Sequence, residues 1–469
     1  MTDFSASDVW GLIFLCASLL GSMLLANTLK RKIYFLRASL IPTSVLGGII
    51  ILLVSIVYEA ITGDRFFDSA LFGGNGIATM EAITYHALAL GFIATTFTSN
   101  RKMTKKEVTS SFDTGVTTVS TYLLQGALGL GITIGLSYLV AGIFPASGII
   151  LPFGYGQGTG QAMNYGNIYE QDYGFVGGRS FGLSVAALGF ISAALGGVIH
   201  LNILKRRHGF KRADAEASVQ IFEHEIQGID EIPMNGSMDK MTIQIAVVLV
   251  TYGLSYLLMF ALGELASGLK SIIYGFNFLF GVLGATVGKL IIRGLRKTKI
   301  MHKQYTNDFL MNRLSSFFFD FMIVAGIAAI RVDLLADTWW VVLILGVLGA
   351  LATYFYNRYI ARKLFPEYSE EQFLVMYGML TGTASTGVML LREIDPDFET
   401  PAQNNLVYQN FPAIALGFPM MIIATMAPKM PLGTLGIVAA YFVILNLVLF
   451  RRQIFKKKYR GESGENTEE

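Results

Sequence analysis

About eleven runs of roughly 20 apolar residues, interrupted by two glycine-rich stretches, constrain this chain more than any other feature. A run of that length crosses a hydrocarbon core roughly 30 Å thick as a helix. The runs lie at about 9–29, 38–58, 82–99, 115–143, 178–204, 241–262, 271–292, 310–331, 339–356, 405–427 and 433–450. Hydrophobic residues make up 53% of the chain and charged residues 15%, with a mean hydropathy of +0.53. An average soluble domain carries about 25% charge, so a soluble fold is excluded. Transmembrane strands would be about 10 residues long with alternating polarity, and no segment has that pattern. The expected fold class is an all-α polytopic membrane protein lying in a lipid bilayer.

The single cysteine, Cys16, sits inside the first run, so one chain forms neither a disulfide framework nor a cysteine metal cluster. The N-terminus (Met1, Thr2, Asp3, Phe4) lacks the basic start of a cleaved signal peptide, and the first run is read as a lasting span. Most of the 36 Lys and Arg fall into six clusters: Lys30 to Arg37, Arg101 to Lys106, Lys205 to Arg212, Lys289 to Lys303, Arg358 to Lys363 and Arg451 to Arg460. If the glycine-rich stretches at about 147–166 and 372–391 do not cross, all six clusters share one face. Only Arg65, Arg179, Lys270, Arg331 and Lys429 lie on the other. The positive-inside rule makes the first face cytoplasmic, with the N-terminus outside and the C-terminus inside. If either stretch were a single span, every later cluster would change sides until the other stretch restored the order. Both are therefore expected to be re-entrant hairpins, the first entering from outside and the second from inside.

Each hairpin follows three spans and precedes a fourth. The expected organisation is an N-terminal helix in 1–37, a first repeat in 38–204, a cytoplasmic linker in 205–240 and a connecting helix in 241–270. A second repeat of opposite orientation follows in 271–427, then a C-terminal helix and tail in 428–469. Inverted repeats whose interrupted helices meet at mid-membrane are the architecture of secondary transporters. The linker, basic then acidic, and the tail from Lys456 read as solvated segments.

The first glycine-rich stretch runs from Pro152 to Tyr165, with Gly154, Gly156, Gly158 and Gly160 at alternate positions. That spacing is expected to prevent a stable helix and to let backbone approach a ligand. Irregular backbone at membrane depth is tolerated only where protein or a watery cavity satisfies it. The second stretch, Tyr377 to Gly387, repeats the recipe with Thr381, Thr383, Ser385 and Thr386. Amides at the start of a broken helix attract a carboxylate, and free carbonyls with hydroxyls suit dehydrated Na⁺. The competing reading is that these glycines only permit tight helix packing. Nucleotide motifs fail on spacing. Gly154 to Gly160 lacks the last glycine of a dinucleotide fingerprint, and Gly284 to Leu290 has no Ser or Thr after Lys289. Gly154-Tyr155-Gly156 does not make a potassium filter either, since that needs equivalent loops about one axis.

Asp320 lies near the middle of a span, where a charge is costly and marks an ion path or a paired site. His86 reads as a satisfied interior histidine. Gln125 and Asn277 read as groups that hydrogen-bond helices together, and Asn410, beside Pro412, as a coupling-ion ligand. Arg392, after the second hairpin, is either a carboxylate ligand or a solvated ion-pair partner of Glu393. Arg179, Arg331 and Asp333 read as interfacial charges.

At Gly158-Thr159-Gly160 followed by Ala162, at Ile41-Pro42 and Gly47-Gly48, and at Ala89-Leu90-Gly91-Phe92, the chain resembles the bacterial glutamate:sodium symporter family. The resemblance covers about residues 9–427 in span order and is specific in the first hairpin. It departs in three places. Gln157 stands where the family commonly has histidine, Thr383 to Gly387 replaces an Ala-Thr-Pro-Thr-Ala-like run, and the span at 433–450 exceeds the family's ten. The resemblance implies Na⁺-driven accumulation of glutamate across the plasma (inner) membrane of a bacterium, an elevator-type mechanism and a homodimer. On that reading Gln157, Gly158, Thr159, Gly160 and Asn164 contact substrate from one hairpin. Thr383, Ser385, Thr386 and Arg392 contribute from the other side, while Thr381, Gly382, Asp320 and Asn410 serve the coupling ion. A proton-coupled carboxylate or amino-acid transporter, with Asp320 titrating, stays open as the alternative, and an ion channel as a further one. No nucleophile or metal cluster supports an enzyme. His208, His224 and His302 fall in loops, and His224-Glu225 lacks the second histidine of a zinc-protease helix.

Overall fold

A computed structural model of the chain describes residues 7–98, 104–208, 231, 238–396 and 398–454. The expected tail from Lys456 and most of the expected linker, with His224, lie outside the described residues. Among the described residues the fold is all-helical, with no strand beyond an isolated bridge between Glu231 and Gln304. In chain order the helices are α1 (Ser7–Lys32), α2 (Tyr34–Ala38), α3 (Thr43–Thr62), α4 (Gly76–Phe97), α5 (Lys105–Leu139), α6 (Leu151–Tyr173), α7 (Gly178–His208), α8 (Lys240–Leu265) and α9 (Lys270–Gly275). They continue as α10 (Asn277–Lys297), α11 (Asp308–Ala328), α12 (Trp339–Leu364), α13 (Ser369–Thr381), α14 (Ala384–Arg392), α15 (Ala402–Tyr408), α16 (Asn410–Met426) and α17 (Pro431–Leu449). Among the described residues, 10 helices are long and apolar enough to cross a membrane, and 11 spans result if the α15–α16 pair counts as one. The protein is a polytopic α-helical membrane protein.

The sequence sets the ends of several of these helices. Thr104 and Glu107 form a reciprocal capping box at the start of α5, with Thr104 N–H donating to Glu107 Oε2 at 2.7 Å. Asp239 caps α8 through the amides of Met241 and Thr242, and Asn307 caps α11 through the amide of Leu310. Lys30, Arg31 and Lys32 close α1, where cations oppose the partial negative charge of the free carbonyls.

Two expected spans come out differently. The run at 405–427 is a bent pair, with α15 and the body of α16 meeting at 51°. Pro412 forces the bend, since it cannot donate the bond a continuous helix needs there. The run expected at 271–292 is divided at Phe276 (φ −99°, ψ 25°), so that α9 ends and α10 begins. Asn277 Nδ2 anchors that joint by donating to the Tyr85 carbonyl at 2.9 Å and to Tyr252 Oη at 3.2 Å. Where the linker is described it is docked rather than free: Glu231 accepts from buried Lys240 Nζ at 2.7 Å and from Asn307 Nδ2 at 2.6 Å.

The helices sort into two bundles. In the first, α3 packs on α1 and α11, α4 on α10 and α11, and α10 on α8. Small residues set these approaches: Gly91 of α4 lies against the Phe319 ring, and Gly48 of α3 against Ile327. The outer faces of α8 and α10 expose Leu249, Val250, Leu254, Val287, Leu290 and Ile291, as helices facing lipid must. The second bundle gathers α5, α6, α7 and α12 through α17 around the largest buried side chains, including Phe153, Tyr155, Tyr165, Tyr169 and Phe190. The two bundles meet chiefly where α6 faces α4 and α11.

Candidate functional site

The site is built from two chain reversals. In a continuous helix, the 12 steps from Phe153 to Tyr165 would span about 18 Å. Their rings are instead stacked with centroids 3.8 Å apart. The chain doubles back between them at Gly158, the one residue inside α6 with non-helical dihedrals (φ +83°, ψ −171°). The second reversal joins α13 to α14 through Gly382 and Thr383. A Cβ on Gly378 would stand 2.7 Å from Gly387 Cα, although nine helical residues would carry the chain about 13 Å. At 13 and 9 residues, α13 and α14 are both too short to cross a 30 Å core at about 1.5 Å per residue.

Helix α7 brings the two reversals together. A Cβ on Gly189 would lie 2.5 Å from the Thr381 carbonyl oxygen and 2.9 Å from the Tyr155 ring. From the other side α5 reaches both with successive turns. Tyr122 Oη donates to the Gly156 carbonyl at 3.1 Å, and Gln125 Nε2 donates to the Leu380 carbonyl at 2.9 Å and to Thr353 Oγ1 at 2.8 Å. Gln125 Oε1 is buried with no partner, which leaves a free acceptor beside the second reversal. Below it Thr118 Oγ1 donates to Gln409 Oε1 at 2.5 Å, extending a buried polar seam along α5.

The expectation that alternating glycines would prevent a helix is corrected. Gly154, Gly156 and Gly160 are helical, and Gly158 alone breaks the run. Tertiary packing overrides their weak propensity, because each lets a neighbour approach closely. Gly154 admits Val185 and Ala186, Gly156 admits the Tyr122 ring, and Gly160 admits Leu88 and Met322. The packing reading and the chain-break reading therefore apply to different glycines of the same stretch.

The other expected site residues divide. Thr159 is buried and donates to the Met322 carbonyl of α11 at 3.3 Å, Gln157 is half-buried, and Asn164 Nδ2 donates to the Gly275 carbonyl at 3.1 Å, tying α6 to the end of α9. Thr383 caps α14, accepting from the Thr386 amide at 3.2 Å, with Thr386 Oγ1 3.1 Å from Thr383 Oγ1. Ser385 is exposed in the first turn of α14, and Gly382 is buried at the turn itself. The Thr381 hydroxyl donates within its own helix to the Tyr377 carbonyl at 2.6 Å, so its carbonyl is the group that faces α7. Three residues are exposed outside the two reversals. Arg392 is exposed at the far end of α14, about 13 Å of helix from Thr383, with its guanidinium 5.2 Å from the Phe398 ring centre. Asp320 is exposed on α11; it lies two residues from Met322, and positions two apart do not share a helix face. Asn410 is exposed at the start of α16. His86 pairs with Tyr252 Oη through Nδ1 at 2.8 Å.

Sequence reasoning passed over Gln161. It is 1% exposed, and neither amide atom has a hydrogen-bond partner. Its signal was its place one turn beyond Gly158, in Gln157-Gly158-Thr159-Gly160-Gln161.

Charged clusters hold the bases of the two hairpins at opposite ends of the bundle. At the end carrying the basic clusters, His200 Nε2 lies 2.7 Å from Glu370 Oε2, and Arg358 Nη1 lies 2.7 Å from His200 Nδ1. The His200 hydrogen bond, helped by the guanidiniums of Arg358 and Arg362, holds the Glu370 carboxyl below its usual range. At the other end Arg179 bridges Glu81 of α4 at 2.5 Å and Glu170 of α6 at 3.0 Å. Arg65 pairs there with Asp333 at 3.1 Å, and Arg65, Arg179 and Arg331 line a cavity of ≈ 250 Å³. Arg179, expected as an interfacial charge, ties the two bundles together through its pairs with Glu81 and Glu170. Arg179→Met is expected to lower the thermal midpoint by several degrees, because it leaves two carboxylates facing each other. Glu81→Gln in the same chain should recover part of the loss, and no recovery would remove the pair as the cause.

Together the fold and the paired reversals define a polytopic helical membrane protein with two interrupted helices facing one locus. Comparison with known proteins adds no family: no family model matches the chain, and no curated protein matches it.

Proposed function

We propose that this protein is a secondary active symporter coupling Na⁺ to the uptake of glutamate or a related small carboxylate, as in the glutamate:sodium symporter family it resembles. The observation that carries the reading is the convergence of two helical hairpins, turned at Gly158 and at Gly382–Thr383, on Gly189 of α7. Hairpin tips that meet inside a bundle supply the half-helix ends at which transporters hold substrate and ion. On this reading the hairpins are re-entrant, the units 38–204 and 271–427 are inverted repeats, and the basic end is cytoplasmic. The first turn of α14 offers amides to a carboxylate. The Thr381 carbonyl and Gln125 Oε1 supply oxygens of the kind Na⁺ takes. The narrow joint between the bundles, where Thr159 and Gly160 pack against Met322 and Leu88, suits an elevator movement of the second bundle past the first.

The test is uptake of labelled glutamate into proteoliposomes under an inward Na⁺ gradient, compared with equal K⁺ and proton gradients. Saturable uptake that requires Na⁺ is expected. Uptake driven equally by the proton gradient would sink the Na⁺ assignment, and unsaturable flux under all three would sink the symporter.

A further inference from the structure

Gln161 sits in the second arm of the first hairpin, one turn past the reversal at Gly158 and one turn before Asn164 and Tyr165. It is 1% exposed, and both Nε2 and Oε1 lack partners. Its neighbours are otherwise occupied: Asn164 donates to the Gly275 carbonyl, Tyr165 Oη to the Met421 carbonyl at 2.8 Å, and Thr159 to the Met322 carbonyl. Burying an amide with neither end bonded is costly, and such groups call for a ligand or a water. At the reversal itself a methyl group is the most that fits without displacement, since a Cβ on Gly158 would meet Met322 Cε at 3.6 Å and Phe190 Cζ at 3.9 Å, ordinary contact distances.

An amide presents a donor and an acceptor side by side. A plain carboxylate can use only the donor and an ammonium only the acceptor. An α-amino acid carries both groups on one carbon and satisfies both amide ends at once. The surroundings favour such a zwitterion. Neither 151–173 nor 369–391 contains Lys, Arg or His, and Arg392 lies at the far end of its helix. A plain dicarboxylate would therefore bring an uncompensated pair of negative charges to hairpins that carry no cationic side chain, whereas an acidic α-amino acid brings its own ammonium to offset one of them.

We propose that Gln161 makes the site selective for α-amino acids over plain dicarboxylates, its amide N–H donating to the α-carboxylate and its carbonyl accepting from the α-ammonium. The inference rests on the symport reading and names the substrate class of that same site.

The test compares L-glutamate with glutarate, which has the same carbon chain without the ammonium group. Uptake of each is measured in proteoliposomes for the wild type, Gln161→Leu and Gln161→Met, with the thermal midpoint of each protein in detergent without ligand. The wild type should favour glutamate by about 10- to 100-fold, the value of a hydrogen bond to a charged group. Both variants should bring glutamate down to the glutarate level, with midpoints equal to or above the wild type because an unpaired polar group has been removed. A wild type that takes up both compounds equally, or variants that keep the preference, would overturn the role of Gln161 and leave the symport reading standing. If the wild type takes up neither compound under any gradient, the symport reading fails and this inference with it.

Discussion

Replacing Gly158 by alanine is expected to reduce Na⁺-driven uptake about 10- to 100-fold while moving the thermal midpoint by only a few degrees. The position has φ +83° and ψ −171°, a region open to glycine and essentially closed to residues with a Cβ. Space is not the obstacle, since the nearest atoms to a new Cβ would be Met322 Cε at 3.6 Å and Phe190 Cζ at 3.9 Å. The whole cost is therefore backbone strain, about 1–3 kcal/mol, and each 1.4 kcal/mol is about tenfold in an equilibrium. The chain can relieve that strain only by opening the reversal, which carries Thr159 and Gly160 away from Met322 and Leu88. Uptake and circular dichroism on the same preparation separate the two effects. Full uptake by Gly158→Ala would mean that the sharp reversal is not needed for transport.

The membrane fold was legible because span length and apolarity are one-dimensional properties, and α1, α3, α8 and α17 answer to them directly. The interruptions were harder. Phe276 and the joint at Pro412 divide runs whose hydropathy is continuous, and only Pro412 carries a local signal. In the first glycine-rich stretch the pattern showed that backbone would come close to something. It did not show that Val185, Tyr122 and Leu88 would be that something at three of the four glycines. Asn164 bonds a carbonyl 111 residues away, a partner no local spacing indicates. Asp320 and Asn410 drew attention as polar groups inside apolar runs, but a run does not tell which face of its helix turns toward the reversals. Gln161 carries the opposite lesson, since an ordinary glutamine becomes notable only once its burial and lack of partners are known.

Truncating Tyr165 to alanine is expected to produce the largest loss of stability, about 4 kcal/mol, the range for removing a buried aromatic ring. Its ring is 1% exposed, stacks on Phe153 and meets Phe276 edge-on, while its hydroxyl donates to the Met421 carbonyl. It is thus the contact that closes the first hairpin on itself and ties it to α16. Tyr165→Phe keeps the stack and loses one hydrogen bond, so about 1 kcal/mol is expected there. Ring contact and hydroxyl are separated by measuring both variants in denaturant or by thermal shift, with Phe153→Ala and the Phe153→Ala, Tyr165→Ala pair completing a cycle. The two alanine changes should be strongly non-additive, since either one already removes the stack. Additive losses would mean that the two arms are held by separate contacts. The reversal at Gly158 would then be kept by its packing against α7, where Gly182 lies close under the Ala162 carbonyl.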